Sequence, residues 1–288
     1  MIETKEIQGL QFGILSREEI LRNSVCEVNN SKLIVSPGTV YDERMGTIVM
    51  KNCVSCNLDV KGCPGHFGHI ELFEYIIHPL FYKYTLSFLK CFCVKCFRMI
   101  VSKEMLEMEG LTNITGEIKF KLILKLIEKI DTCFHCLYTQ PKFSGTNDGK
   151  CNILSIFTIG KDIKKFIKTP EEIKMIFDNI IDDDVRLVGL NPRHTHPRNF
   201  ITNIIPVLPP RSRPRVSSEN NLCDDDITIQ YCEIIKKNTK LKSIGNREDP
   251  KYIKEFDKMY FKIKSMFDNS NGKAKHSNGR AIKGEIVA

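Results

Sequence analysis

The sequence predicts an α+β chain held together by two structural metal sites and closing with a helical hairpin. Three observations carry that expectation. Seven cysteines and a histidine stand at metal-ligand spacing, several apolar stripes repeat with helical period, and the strand-like patches between them are short. The first patch is Leu10-Gln11-Phe12-Gly13-Ile14-Leu15. Ser16-Arg17-Glu18-Glu19 then reads as a helix N-cap followed by first-turn acids. Residues 36–46 (SPGTVYDERMG) are turn-rich and lead into the first cysteine loop. After His69, Ile70 and Leu72 alternate with Glu71 until Phe73 breaks the pattern, which predicts a short buried strand.

Leu80, Phe81, Tyr84, Phe88 and Leu89 share a helical face over 80–89, and the apolar run 120–130 (FKLILKLIEKI) makes a second amphipathic helix. The first delivers the chain to Cys93 and the second to Cys133, so each half of a four-cysteine site hangs from a helix end. Thr169-Pro170-Glu171-Glu172 opens another helix, with Ile173, Ile176, Phe177 and Ile180 on its apolar side. The stretch 186–216 carries Pro192, Pro197, Pro206, Pro209, Pro210 and Pro214 interleaved with arginines. It predicts a stiff extended loop suited to phosphate contacts, or else a solvated linker. Asp224-Asp225-Asp226 reads as the cap of a helix bearing Ile227, Tyr231, Ile234 and Ile235. Asp249-Pro250 starts a partner whose stripe is Ile253, Phe256, Met259, Tyr260, Ile263, Met266 and Phe267, with 238–248 as the connection. The acidic triplet Asp182-Asp183-Asp184 also reads as a cap. The Asn-, Gly-, Lys- and Ser-rich tail from 269 is expected to be mobile.

Composition narrows the function. At 288 residues, 42% hydrophobic and 27% charged, the chain has the make-up of a folded globular protein. No apolar run is long enough to span a bilayer, and the polar start lacks the apolar core of a secretion signal, so no membrane partner is expected. A formal net charge of +8 favours an anionic partner.

The cysteines give the chemistry. Cys53-x2-Cys56-x6-Cys63-Pro64-Gly65-His66 offers three thiolates and an imidazole, with His69 as the alternative nitrogen ligand. Cys93-x2-Cys96 and Cys133-x2-Cys136 offer four thiolates. Two ligands on either side of a two-residue turn can face one ion, and zinc takes four ligands at tetrahedral angles. A redox pair would open a helix beside a parallel sheet, whereas Cys93 and Cys96 follow a helix. A hydrolytic zinc would need an open coordination position, and two complete quartets leave none. Two structural zinc ions are therefore expected, in a reducing compartment.

These residues also carry a resemblance. The chain resembles the N-terminal clamp-core region of the largest subunit of multisubunit DNA-directed RNA polymerases of the eukaryotic, archaeal and large-DNA-virus type. The similarity rests on Leu10 to Ser16, on Tyr41-Asp42-Glu43-Arg44-Met45-Gly46, and on the first cysteine loop through His69. It continues in Cys93-x2-Cys96 with Cys136-Leu-Tyr-Thr-Gln-Pro141, in the run 205–214 (IPVLPPRSRP), and in Asp224 to Thr228.

The resemblance implies an N-terminal clamp segment at 1–50, a zinc-binding clamp head at 51–150, and a clamp core with a lid-like loop (215–223) at 151–223. It further implies a clamp helical hairpin at 224–268 that docks transcription factors, and a truncated rudder-like basic tail at 269–288. It implies zinc on Cys53, Cys56, Cys63, His66 and on Cys93, Cys96, Cys133, Cys136. Contacts to DNA and the RNA–DNA hybrid would come from Arg211, Arg213, Arg215, Lys273, Lys275, Arg280 and Lys283. Other polymerase subunits, including the second-largest and the remainder of the largest, would be partners. The location would be the nucleus, or host cytoplasm or virion for a large DNA virus. The family's magnesium-holding string N-A-D-F-D-G-D does not occur here. The chain is thus expected to be a fragment, a split-gene product or a truncated homologue, inactive alone as a nucleotidyltransferase, with Mg2+ held only in the complete polymerase. The alternative is a stand-alone zinc-stabilised adaptor for nucleic acid or protein.

Overall fold

The computed structural model describes residues 13–47, 51–146, 150–159, 162–218, 221–275 and 279–282. Helix α1 (Arg17–Asn23) starts at a full capping box: Ser16 Oγ accepts from the Glu19 N–H while the Glu19 carboxylate accepts from the Ser16 N–H. Leu10 to Phe12 of the expected first strand lie outside the described residues. Gly13 to Leu15 form no strand; Ile14 instead donates to the His194 carbonyl at 2.8 Å. Strand β1 (Ser24–Glu27) pairs parallel with β2 (Phe67–Ile77).

At 11 residues, β2 is far longer than the short strand expected at Ile70 to Leu72. Its inside–outside alternation continues past the apparent break: Phe73 points outward, and Glu74 takes the buried place. Its carboxylate has partners there: Arg247 Nε lies 2.8 Å away and the Tyr252 hydroxyl donates to the same oxygen.

Helix α2 (Tyr82–Cys91) ends two residues before Cys93, as its stripe predicts, and α3 (Lys103–Met108) is a short addition capped by Ser102. Helix α4 (Gly116–Ile127) buries Ile123 and Ile127 and stacks Phe120 on Phe88 of α2, with ring centroids 4.7 Å apart. A second sheet follows, of β3 (Lys142–Gly145), β4 (Ile153–Ile159) and β5 (Asp162–Lys168), all antiparallel in that order. Helix α5 (Pro170–Asp178) shows the expected Thr169 cap and buries Ile173, Ile176 and Phe177.

The region 186–216 departs from the single stiff loop expected of it. It holds the end of α6 (Asp182–Val188), the short α7 (Pro192–Thr195), a 3-10 turn (Pro197–Phe200) and strand β6 (Ile201–Val207). Strand β6 pairs antiparallel with β2, completing the sheet order β1-β2-β6. Pro206 fits because β6 is an edge strand, where a missing N–H on the open side costs no ladder bond. Strands β7 (Val216–Ser218) and β8 (Asn221–Cys223) form a small ribbon where the lid-like loop is expected.

The hairpin consists of α8 (Asp226–Ile244) and α9 (Pro250–Phe267). Asp225 caps α8 and Asp249 caps α9, each by accepting from the N–H two residues on. Helix α8 runs six residues beyond the expected connection at 238, because Asn238 is not a turn residue but a buried strut. Its side chain accepts from the Phe73 N–H at 2.8 Å and donates to the Glu71 carbonyl at 2.8 Å, pinning α8 to β2. At the turn, Arg247 holds Glu74 and, bidentately, Glu171 of α5, both oxygens at 2.8 Å. The hairpin is therefore fastened along its length rather than protruding. In α9 the inward face passes through Tyr252, Glu255, Met259, Tyr260, Ile263 and Met266, which leaves Ile253 outside, contrary to the predicted stripe.

The described part of the tail is also folded. Asn269, buried, donates to the Ala274 and Ile282 carbonyls at 2.9 and 2.7 Å and accepts from the Ala274 N–H at 2.9 Å. Ala274 and Ile282 are buried around it, so residues 269–275 and 279–282 close a loop that composition alone presents as mobile. One hydrophobic cluster extends from Cys26 to Met266 and joins both sheets to the hairpin. Among the described residues no helix is long and apolar enough to cross a membrane.

Replacing Asn238 by Ala would leave the Phe73 N–H and the Glu71 carbonyl without partners in a dry place. An expected loss of about 2–4 kcal/mol follows, read from the urea midpoint at unchanged m. A loss under about 0.5 kcal/mol would show that the strut carries nothing.

Candidate metal centres

The peptide turn around each Cys-x-x-Cys is built the same way three times. In the first, the Asn57 N–H donates to the Cys53 carbonyl and the Cys53 N–H to the Leu58 carbonyl, both at 2.8 Å. In the second, Phe97 donates to Cys93 at 3.0 Å and Cys93 to Arg98 at 2.8 Å. In the third, Leu137 donates to Cys133 at 2.9 Å and Cys133 to Tyr138 at 3.0 Å. The residue after each second cysteine is left-handed: Asn57 at φ 58°, Phe97 at 61° and Leu137 at 56°. These are the three described non-glycine residues with positive φ, a conformation that costs an L-residue roughly 1–2 kcal/mol. The turn curls both thiols to one side, and the strain collects where the chain must reverse.

The first turn converges with Cys63 and His66, and the second with the third. Cys53, Cys56, Cys63 and His66 place one ligand atom each within 4.8 Å of all the others, and so do Cys93, Cys96, Cys133 and Cys136. A tetrahedral ion about 2.3 Å from each thiolate would hold sulfurs about 3.8 Å apart. Cys93 Sγ lies 3.5 Å from Cys136 Sγ, Cys96 Sγ lies 3.7 Å from Cys133 Sγ, and Cys63 Sγ lies 3.7 Å from His66 Nε2. All twelve cysteines are free thiols. Each group can hold one metal ion with four protein ligands.

His69, the alternative nitrogen, is elsewhere: it sits in β2 with Nδ1 2.8 Å from Ser24 Oγ. His66 is placed by the Asp42-Glu43-Arg44-Met45-Gly46 segment. Asp42 is buried, accepts from the Gly38 and Arg44 N–H groups and pairs with the Arg44 guanidinium. Burial opposes its charge, but these donors win and its pKa falls below the usual carboxylate range. That caps a 3-10 turn, and the Met45 carbonyl then accepts from the His66 N–H at 2.9 Å. Gly65 is required beside it: φ is +86°, and a Cβ would stand 2.7 Å from the Pro209 Cβ.

At the second centre the Cys93 sulfur accepts from the Lys95 and Cys96 N–H groups at 3.4 and 3.5 Å and from Gln140 Nε2 at 3.2 Å. Burial raises the Cys93 thiol pKa, but the Cys96 and Lys95 N–H groups outweigh it and bring the value down to about 7. Gln140 also accepts from the Val94 N–H, so one amide joins the two turns. Asp184 is no cap, contrary to expectation. Its buried carboxylate takes Arg98 Nε at 2.8 Å, Arg98 Nη2 at 3.2 Å and the Met99 N–H at 2.8 Å, bolting the Cys93 turn to α6. Sequence reasoning missed both Gln140 and Asp184. Gln140 stood inside a quoted motif, and Asp184 was masked by two neighbouring acids.

The basic residues expected to meet nucleic acid are differently placed. Arg213 is 1% exposed, between the Tyr41 and Tyr231 rings, and donates to the Leu208 and Val40 carbonyls and to Thr228 Oγ1. It cannot reach a phosphate, and its expected role is corrected to a structural one: a buried guanidinium that forms no ion pair among the described residues needs these oxygens. Arg211 is exposed yet donates to the Val60, Lys61 and Cys63 carbonyls, at 2.6 Å to the last, bracing the first centre. Arg215 pairs with Asp224 at 2.8 Å and stacks on Tyr41. Arg280 meets Asp226 at 3.0 Å. Lys273 and Lys275 are exposed, and Lys283 lies outside the described residues.

Leu137 is 78% exposed, so its left-handed backbone has no packing reason to be leucine. Leu137→Gly should leave the thermal midpoint unchanged or raise it by a few degrees, because relief of strain offsets the added freedom of the unfolded chain. A drop of more than about 2 °C, roughly 1 kcal/mol for a chain of this size, would contradict the strained-turn account.

The comparisons with known proteins agree with this architecture. The chain is 30% identical to the probable DNA-directed RNA polymerase II subunit RPB1 homolog of Invertebrate iridescent virus 6, over 98% of this chain and 35% of the relative. It is 30% identical to the DNA-directed RNA polymerase subunit Rpo1N of Sulfolobus acidocaldarius, over 97% of this chain and 33% of that one. With the DNA-directed RNA polymerase II subunit RPB1 of Euplotoides octocarinatus it shares 29% identity, over 98% and 64% respectively. The chain thus spans about a third of the first two relatives' length. The family model for RNA polymerase Rpb1, domain 1, matches residues 4–286, and the chain belongs to that family.

Proposed function

We propose that this chain is the zinc-bearing clamp portion of the largest subunit of a DNA-directed RNA polymerase. It would take part in DNA-templated transcription by closing over DNA and the RNA–DNA hybrid. The observation that carries the reading is the junction at the first metal centre. Arg211 ties the Cys63 loop to the proline-rich run, and beyond that run comes the β7–β8 ribbon, which would be the lid-like element. Tyr41, Lys61, Cys63, Arg211, Arg215 and Leu222 border a groove of about 700 Å3 between them. A metal staple at the root of such a ribbon would fix its position, while the exposed arginines at that root, Arg211 and Arg215, would face an anionic strand. Lys61, Arg211, Arg215, Lys273 and Lys275 are the described residues suited to phosphates.

The ion at both centres would be zinc: thiolate and imidazole donors in complete quartets select it over the oxygen-loving cations. Its part is structural, and no residue of this chain offers the aspartate string that would hold catalytic Mg2+, which belongs to the complete polymerase. The α8–α9 hairpin would dock transcription factors. A groove of about 760 Å3 runs along it, edged by Ile253 and Phe261 and by Lys254, Lys258 and Lys262. The second-largest subunit and the remainder of the largest would be the obligate partners.

Co-expressed with those two polypeptides, the tagged chain should elute with both, and RNA synthesis should need all of them. Elution as a solitary monomer beside an active remainder would overturn the assignment. Metal analysis of the purified chain should return two zinc ions, and Cys63→Ser or Cys93→Ser should return about one together with loss of soluble protein. A folded chain with no metal would contradict the staple role.

A further inference from the structure

The three-strand sheet β3-β4-β5 has one covered edge and one open edge. Strand β3 lies against α2, with Gly145 on the Tyr82 ring and the Tyr82 hydroxyl donating to the Asn152 carbonyl at 2.8 Å. Among the described residues, strand β5 has β4 as its sole sheet neighbour. Natural sheets blunt such an edge with proline, lysine, a bulge, extreme shortness or a covering element; of these β5 carries only lysine, which repels a second copy of itself but not an acidic strand. The edge strand β6 of the other sheet is blunted further, carrying Pro206 and packing against α1 and α5. Strand β5 is seven residues long, has no proline, and pairs with β4 in unbroken register from Ile153↔Lys168 to Ile159↔Asp162.

Its side chains are open as well. Ile163 is 63% exposed, Phe166 51% and Ile167 59%. The register puts Ile163, Lys165 and Ile167 on one face with Leu154 and Ile156, and Lys164 and Phe166 on the other, where Phe166 meets the Phe157 ring edge-on at 6.0 Å. Among the described residues no acidic group pairs with Lys164 or Lys165, whereas Lys168 is held by Glu172 at 3.0 Å. Three lysines against Asp162 give β5 a charge of 3 − 1 = +2.

We propose that the β5 edge is a docking site for an extended segment of a partner protein, acidic and apolar in alternation, which adds as a fourth strand. The unpaired backbone row supplies affinity, the alternating side chains supply register, and the two free lysines select acidic residues. Pairing with a second copy of this chain is disfavoured by +2 meeting +2, with Lys165 opposite itself in the centred antiparallel register. A phosphate backbone would satisfy the lysines but leave Ile163, Phe166 and Ile167 uncovered, which favours a peptide over nucleic acid.

The test uses the full chain and a fluorescent synthetic peptide alternating glutamate with valine, followed by anisotropy at low salt and by amide exchange. Binding should slow exchange across residues 163–168. The double variant Lys164→Glu/Lys165→Glu, exposed and so expected to keep its far-ultraviolet circular dichroism, should weaken binding about tenfold or more. Two charge pairs turned repulsive are together worth about 1.4 kcal/mol. Absence of binding, or binding that leaves β5 exchange and the double variant unaffected, would overturn the proposal. So would concentration-dependent protection of β5 without peptide, the mark of self-pairing, or protection by a single-stranded DNA oligonucleotide in place of the peptide.

Discussion

Convergence of four ligands on one point, twice, is the constraint on which this fold depends. A Cys-x-x-Cys turn has no hydrophobic interior and strains a left-handed residue at its end, so it is unfavourable until an ion joins the sulfurs. Once joined, the second centre ties together segments far apart in sequence. Cys93 and Cys133 stand 40 positions apart (133 − 93), and between them run α3 and α4. The supporting groups extend that grip outward: Gln140 across the two turns, Arg98 to Asp184 on α6, and Arg211 from the proline-rich run to the Cys63 loop. Loops that would otherwise wander are thereby placed against the body.

The second organising element is polar and buried. Strand β2 is the plank to which the hairpin is nailed, by Asn238 near its middle and by Glu74 with Arg247 and Tyr252 at the turn. Asn238 and Glu74 are polar groups in a dry setting, tolerable because each has partners there. The arrangement sets the direction of α8 and α9 more narrowly than apolar packing would. It also accounts for the arginines: Arg213, Arg215 and Arg247 neutralise or saturate internal oxygens before any external anion is considered.

Much of this was legible in the residues. The seven cysteine ligands followed from spacing, because two ligands on a short turn have few other uses, while spacing left His66 and His69 both eligible as the eighth. Ser16, Thr169, Asp225 and Asp249 announced their helices, since an N-cap is a local contest settled within four residues. What escaped notice was non-local. Glu74 and Asn238 look like surface residues until a partner arrives from more than 160 positions away, and Phe73 looks like a pattern break until its neighbour proves to be the buried one. The region 186–216 was misjudged because proline was weighed as a breaker, when an edge strand accepts it. The tail was misjudged for a related reason: one asparagine side chain can do the work of a turn's backbone. Arg213 was read by its charge and sequence neighbours, and burial reversed its meaning.

The central claim is that both quartets are complete, closed shells. X-ray absorption at the zinc edge of the purified chain tests it most directly, because it counts ligand types without regard to activity. Seven sulfurs and one imidazole nitrogen shared by two ions should appear, with zinc–sulfur distances of about 2.3 Å and no oxygen in the coordination shell. More than one nitrogen or oxygen ligand at about 2.0–2.2 Å per two ions, or a sulfur count well below seven per two ions, would contradict it.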